Sequence, residues 1–171
     1  GMPDGSAQIL IVGADNGIYH EIRHPNGSWS GLQPLAGAGT SSTAAGSRVA
    51  IAGMPDGSAQ VLIVGANNVI HHRSRNPNGT WTPFYPIAGY GTPTPAAGKD
   101  IAITGMPDGS AQILIVGADN GIYHEIRHPD GSWSGLQPLA GRGTPTTAAG
   151  SSVSIAGMPD GAAQVTIVGR R

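Results

Sequence analysis

The sequence predicts an all-β chain built from β-propeller blades, and three observations carry that prediction. The pentapeptide Gly-Met-Pro-Asp-Gly starts at Gly1, Gly53, Gly105 and Gly157, which sets a period of 52 residues. Each period alternates short β-branched runs with Pro, Gly and Asn turns, and no stretch free of glycine and proline shows a helical period. The inner runs are apolar on both faces, as a strand between two neighbouring sheets requires.

The elements follow in order. Val49–Ala52 is a short apolar run ending at Gly53, and Met54-Pro55-Asp56-Gly57 has proline and glycine placed for a tight turn. Ala59–Gly65 reads as a doubly buried strand. In the first copy Asp15-Asn16-Gly17 turns the chain into Ile18–Arg23. Pro25-Asn26-Gly27-Ser28 turns it again, and Asn-Gly favours the primed hairpin turns. A last strand is expected from Trp29 to about Leu35, then a link of small residues from Ala36 to Ser47. Four strands per period fit a propeller blade or a β-trefoil lobe. Two-faced inner strands favour the blade, and so does the array starting at the second strand of a unit.

The periods are 1–52, 53–104 and 105–156, with a partial fourth over 157–171. Residues 1–40 and 105–144 differ only at Asn26/Asp130 and Ala38/Arg142, whereas the middle copy has drifted. Three blades plus a partial fourth do not close a ring, since single-chain propellers use about 4–8. Their open edges invite pairing. The expected closure is a homodimer forming a six-bladed ring, with one copy of the duplicated second strand displaced.

Composition excludes several classes. The chain has 28 glycines and 14 prolines, about a quarter of its 171 residues, and the periodicity assigns them to turns rather than to low complexity. One lysine and eight scattered arginines at a net charge of −1 form no basic stripe, so no nucleic-acid partner is expected. No apolar run is long enough to span a membrane, and the opening residues do not read as a signal peptide. Without cysteine there is no disulfide framework, and compartment stays open.

Gly13-Ala14-Asp15-Asn16-Gly17-Ile18-Tyr19-His20, followed by Gly27-Ser28-Trp29-Ser30-Gly31-Leu32-Gln33-Pro34-Leu35-Ala36-Gly37, resembles the repeat of PLL-type and tectonin-like bacterial β-propeller lectins. In that repeat a G-x-D-G-x-L-W-H strand precedes a W-S-x-W-x-x-L-G-G strand, and the resemblance covers most of each period. Tyr19, His71 and Tyr123 stand where the family usually has Trp, and Leu32, Phe84 and Leu136 replace the second Trp. The resemblance implies a propeller fold and multivalent glycan binding in shallow grooves between blades. A secreted or cell-surface location would accompany that activity.

The candidate sugar-binding residues recur once per period. Trp29, Trp81 and Trp133 open the fourth strand, either as platforms for a sugar ring or as blade-packing residues. His20, His72 and His124 share a strand face with the aliphatic positions and read as hydrogen-bonded packing residues or as ligand contacts. The opposite face carries Tyr19, Glu21 and Arg23, repeated as Tyr123, Glu125 and Arg127. Carboxylate, guanidinium and aromatic together suit vicinal hydroxyls. The middle copy breaks the set with His71, Arg73 and Arg75, so it should differ if that face binds sugar.

Other chemistries are not expected. His20 and His24 lie about 13 Å apart on a strand, too far to share a metal. Gly-Ser-Trp-Ser-Gly puts Trp at the nucleophile place. Glu21 and Glu125 are the only glutamates, so a paired-carboxylate hydrolase would need aspartates from turns. Gly37-Ala38-Gly39-Thr40 lacks the lysine of a phosphate cradle. Asn26-Gly27-Ser28 and Asn78-Gly79-Thr80 have the form of glycosylation sequons but are better explained as turns. The expected function is a cofactor-free, non-enzymatic carbohydrate-binding propeller. The alternative is a protein-interaction or structural propeller without a sugar site.

Overall fold

A computed structural model describes residues 1–37, 43–141 and 146–169. The described residues contain thirteen strands and no helix, in four antiparallel sheets. The first sheet joins β1 (Ala7–Val12), β2 (Ile18–Arg23) and β3 (Gln33–Pro34). Two four-stranded sheets follow: β4 (Gly46–Gly53), β5 (Ala59–Gly65), β6 (Ile70–Arg75), β7 (Tyr85–Pro86), then β8 (Gly98–Gly105), β9 (Ala111–Gly117), β10 (Ile122–Arg127), β11 (Gln137–Pro138). The last pairs β12 (Gly150–Gly157) with β13 (Ala163–Gly169). Within each sheet strands pair in sequence order, the meander of a propeller blade. Blade and repeat are offset by one strand, because the Gly-Met-Pro-Asp-Gly turn joins the innermost strand to the second.

Burial follows that order. Every residue of β5 is buried, and β9 is buried except at Gln112, because each is flanked by a sheet on both sides. Leu62, Val64 and Ile70 of one blade pack with Ile101, Ile113 and Ile115 of the next. Val61 and Ile63 pack the other way, with Ile18 and Leu35. Leu114, Val116 and Ile122 pack with Val153 and Ile167. Thr166 of β13 stands at the repeat position of Leu62 and Leu114 and is exposed, whereas both leucines are fully buried.

The inner strands are also tied across blades. Arg48 Nε lies 3.6 Å from Asp100 Oδ1, and Asp100 Oδ2 accepts a 2.8 Å hydrogen bond from Ser152 Oγ. These residues sit one period apart, so the inner strands carry a polar ladder; its ion pair, with Arg48 exposed and Asp100 largely buried, is worth about 1 kcal/mol. Around the axis, glycine allows backbone to meet backbone. A Cβ on Gly53 would collide with the Gly1 carbonyl oxygen, and one on Gly157 would come within 2.7 Å of that of Gly105.

Two expectations are corrected. The fourth strand is a two-residue ladder at Gln33–Pro34 with an isolated bridge between Arg23 and Trp29, because Gly31 at φ +81° bends the chain between them. The Asn26-Gly27 turn is not of a primed type. His24 accepts from the Gly27 N–H at 2.9 Å, which puts Pro25 at the second turn position, where its fixed negative φ excludes the primed form. Gly27, at φ +85°, then takes the left-handed place that follows. Ala38, Gly39 and Thr40 of the glycine-rich stretch, and Arg142, lie outside the described residues.

The contrast between a two-faced and a one-faced strand is measurable. Leu114→Ala is expected to lower unfolding free energy by about 2–5 kcal/mol, read from urea denaturation. Thr166→Ala, at the same repeat position, is expected to change it by less than about 0.5 kcal/mol. Equal losses at the two positions would contradict the burial argument.

Candidate functional site: the groove between the two complete blades

Each complete blade presents a histidine to the blade that follows. His72 Nε2 lies 2.7 Å from Gln60 Oε1, which also accepts from Ser74 Oγ at 2.9 Å. With the amide oxygen as acceptor, His72 is the Nε2–H tautomer. His20 and His124 make the same contact with Gln8 (2.5 Å) and Gln112 (2.6 Å). Burial, with Arg127 nearby, pushes the His72 pKa down to about 3; burial, with Arg75 nearby, takes His20 to about 4. These rings are neutral at physiological pH.

The next blade supplies a tryptophan. Trp133 meets His72 in a T-shaped contact, with centroids 4.9 Å apart and planes at 82°. Trp81 meets His20 at 5.1 Å and 85°. The serine after Trp133 holds this segment, since Ser134 Oγ accepts from the Ile126 N–H at 2.9 Å and Ser134 N donates to Ile126 O at 2.9 Å. Trp133 is 36% exposed and Trp29 is 53% exposed.

Between the complete blades this arrangement opens into a cavity of about 500 Å³, lined by His72, Tyr85, Pro86, Ile87, Ala88, Glu125, Trp133 and Gly135. Glu125 is 2% exposed, and its Oε2 is buried without a hydrogen-bond partner. Burial pushes its carboxyl up to about 7, opposed by a backbone hydrogen bond from Gly135. A carboxyl poised near neutrality both accepts and donates hydrogen bonds, and an aromatic face lies beside it. That combination suits a polyhydroxylated ligand.

The equivalent groove one period earlier is filled. Arg73 replaces Glu125 there, with its guanidinium carbon 4.9 Å from the Trp81 ring centroid and 4.6 Å from that of Phe84. Arg73 Nη1 donates to the Ala36 carbonyl at 3.1 Å, and the residue is 7% exposed. Desolvated cation–π contacts of this kind are worth about 2 kcal/mol.

The structure separates the predicted residues. His72, Glu125 and Trp133 meet at one cavity. Tyr123 shares its strand face with Glu125 but lines a different one with Tyr90, its hydroxyl donating to Asp119 Oδ2 at 2.6 Å. Tyr19 makes the same local bond to Asp15. Arg127 lines a third cavity with Asp56 and Gln60. Glu21, Arg23 and Trp29 lie on the first sheet, whose matching face has no preceding blade among the described residues; His124 faces the two-stranded last sheet. Sequence reasoning missed Tyr85, an exposed aromatic at the groove rim. The available signal was that Gln33 and Gln137 occupy its place in the other copies.

No family model and no curated protein matches the chain. Among solved structures it is similar to the BP39L lectin from Burkholderia pseudomallei, with a TM-score of 0.59 at 16% identity over 96% of this chain and 49% of the lectin. It is also similar to NanB, solved with Optactamide, at a TM-score of 0.60, 14% identity, and 96% and 26% of the two chains. The chain thus spans about half of one and a quarter of the other. At this identity the likeness shows the fold: these are β-propeller blades.

Glu125 gives the groove a pH signature. Its unfolded carboxyl ionises near 4.5 and its folded carboxyl near 7, so the folded state holds a proton the unfolded state has lost. That contribution is complete below pH 4.5 and is lost as pH rises through 7. Glu125→Gln is therefore expected to match the wild type in Tm at about pH 4.5 and exceed it at pH 8. Parallel Tm curves would rule out the buried, raised carboxyl.

Proposed function

We propose that the chain is a non-catalytic carbohydrate-binding propeller that takes a saccharide in the groove between β4–β7 and β8–β11. The observation that carries this reading is the cavity lined by both Glu125 and Trp133, where the Glu125 side chain is buried and one of its carboxyl oxygens has no hydrogen-bond partner. Trp133 stacks on the apolar face of the sugar ring, with Tyr85 at the rim. Glu125 holds hydroxyls, and the unprotonated Nδ1 of His72 offers a further acceptor. The PLL-type motif resemblance and the likeness of fold to a lectin support the saccharide class. The lining holds a single carboxylate, whereas hydrolysis by the usual acid–base mechanism uses a pair.

A single shallow groove binds weakly, and assembly would multiply it. A second copy offering its β12 to β1 would complete the first sheet, the pairing that leads to a six-bladed homodimer. Leu10 on β1 fits a two-faced position better than Thr166 on β13, which favours β1 as the partner of β12. Several grooves on one rigid ring would raise avidity by about 10²–10⁴ where glycans span them.

A glycan array followed by calorimetry tests the reading. The wild type is expected to bind at least one glycan class, and Trp133→Ala and Glu125→Gln to weaken it by about tenfold or more with the fold intact by circular dichroism. A flat array would favour an interaction or structural propeller. In solution, the mass is expected to be that of two chains, and a monomer would overturn the closure.

A further inference from the structure

We propose that Arg73 is a built-in occupant of the first inter-blade groove, so that of the two grooves between β1–β3, β4–β7 and β8–β11 only the one holding Glu125 accepts ligand. The identity of the ligand rests on the saccharide reading above; the occupancy of the groove does not.

The two grooves share a scaffold. The His–Gln bond, the T-shaped His–Trp contact and the Pro-then-aliphatic pair (Pro34-Leu35, Pro86-Ile87) recur one period apart. Of the many positions at which the middle copy has drifted, three bear on this groove together. The outer copies read Glu21 with Gly31 and Leu32, and Glu125 with Gly135 and Leu136, while the middle copy reads Arg73 with Pro83 and Phe84. Each exchange fits the others chemically. The Gly135 backbone N–H opposes the rise that burial gives the Glu125 carboxyl, and Pro83 has no N–H to supply. A guanidinium needs no such donor. Phe84 adds the second ring face on which Arg73 lies. The Leu136 place cannot do that for a cation.

Arg73 thus sits where a ligand would sit in the other groove: over the tryptophan, bonded to the wall through Ala36 O, and nearly sealed from solvent. It is a groove-specificity residue that acts by filling. Its own Nε is buried without a hydrogen-bond partner, and burial lowers its pKa.

Indole N–H signals of the intact ¹⁵N-labelled protein, assigned with Trp→Phe variants, test the plug directly. With the neutral nitroxide 4-hydroxy-TEMPO as probe, Trp133 is expected to broaden at least twofold more than Trp81. Arg73→Ala should raise Trp81 broadening to the level of Trp133. Equal broadening in the wild type, or no change on Arg73→Ala, would overturn the occupancy. Titration with the saccharide found on the array should shift Trp133 and leave Trp81 in place. Arg73→Glu combined with Pro83→Gly and Phe84→Leu should add a Trp81 shift and one further site per chain by calorimetry. A wild-type Trp81 shift that Arg73→Ala abolishes would make Arg73 a ligand contact and overturn the proposal. If no saccharide moves any indole while the nitroxide result holds, the saccharide reading fails and the plug stands.

Discussion

Burial of one strand on both faces is the constraint on which everything else depends. β5 and β9 have no solvent side, so each must carry apolar residues at consecutive positions, and each must be met by a sheet on either side. Leu62, Leu114, Ile113 and Ile115 are at or near zero exposure for that reason. Per blade this is a large apolar contribution in a chain that is only 39% hydrophobic. The grooves exist because the same packing loosens outward: the inner and middle strands meet face to face, while the two-residue outer strands leave room beside the His72–Trp133 contact.

The fold was legible because its signals are local and repeated. A 52-residue period, turn residues in fixed places and two-faced strands are visible in one dimension. The boundaries that went astray depend on geometry that spacing does not report. Pro25 moved the Asn26-Gly27 turn by one position, and Gly31 cut the fourth strand to a stub.

The site was half legible. His72, Glu125 and Trp133 could each be singled out as recurring polar or aromatic positions, yet their meeting is a contact between sheets, with His72 and Trp133 sixty-one residues apart in sequence. Face sharing suggested a Tyr–Glu–Arg set, but alternate residues on a strand are about 6.6 Å apart, and Tyr123, Glu125 and Arg127 open on three different cavities. The Arg73 exchange was visible as a break in pattern. That it fills a groove depends on where Trp81 and Phe84 stand, which only packing decides.

The row of glycines around the axis sets a mechanical standard for the whole array. Each of Gly53, Gly105 and Gly157 abuts the carbonyl of the glycine one period before it, so the spacing between blades is gauged by bare peptide against bare peptide. An error at any one station would not stay local. A methyl group there would wedge two blades apart at the hub, and a small tilt at the hub becomes a wide gap at the rim, where the outer strands and Trp133 lie. The hub is thus the part with the tightest tolerance, and the four unaltered Gly-Met-Pro-Asp-Gly copies are the sequence trace of that gauge.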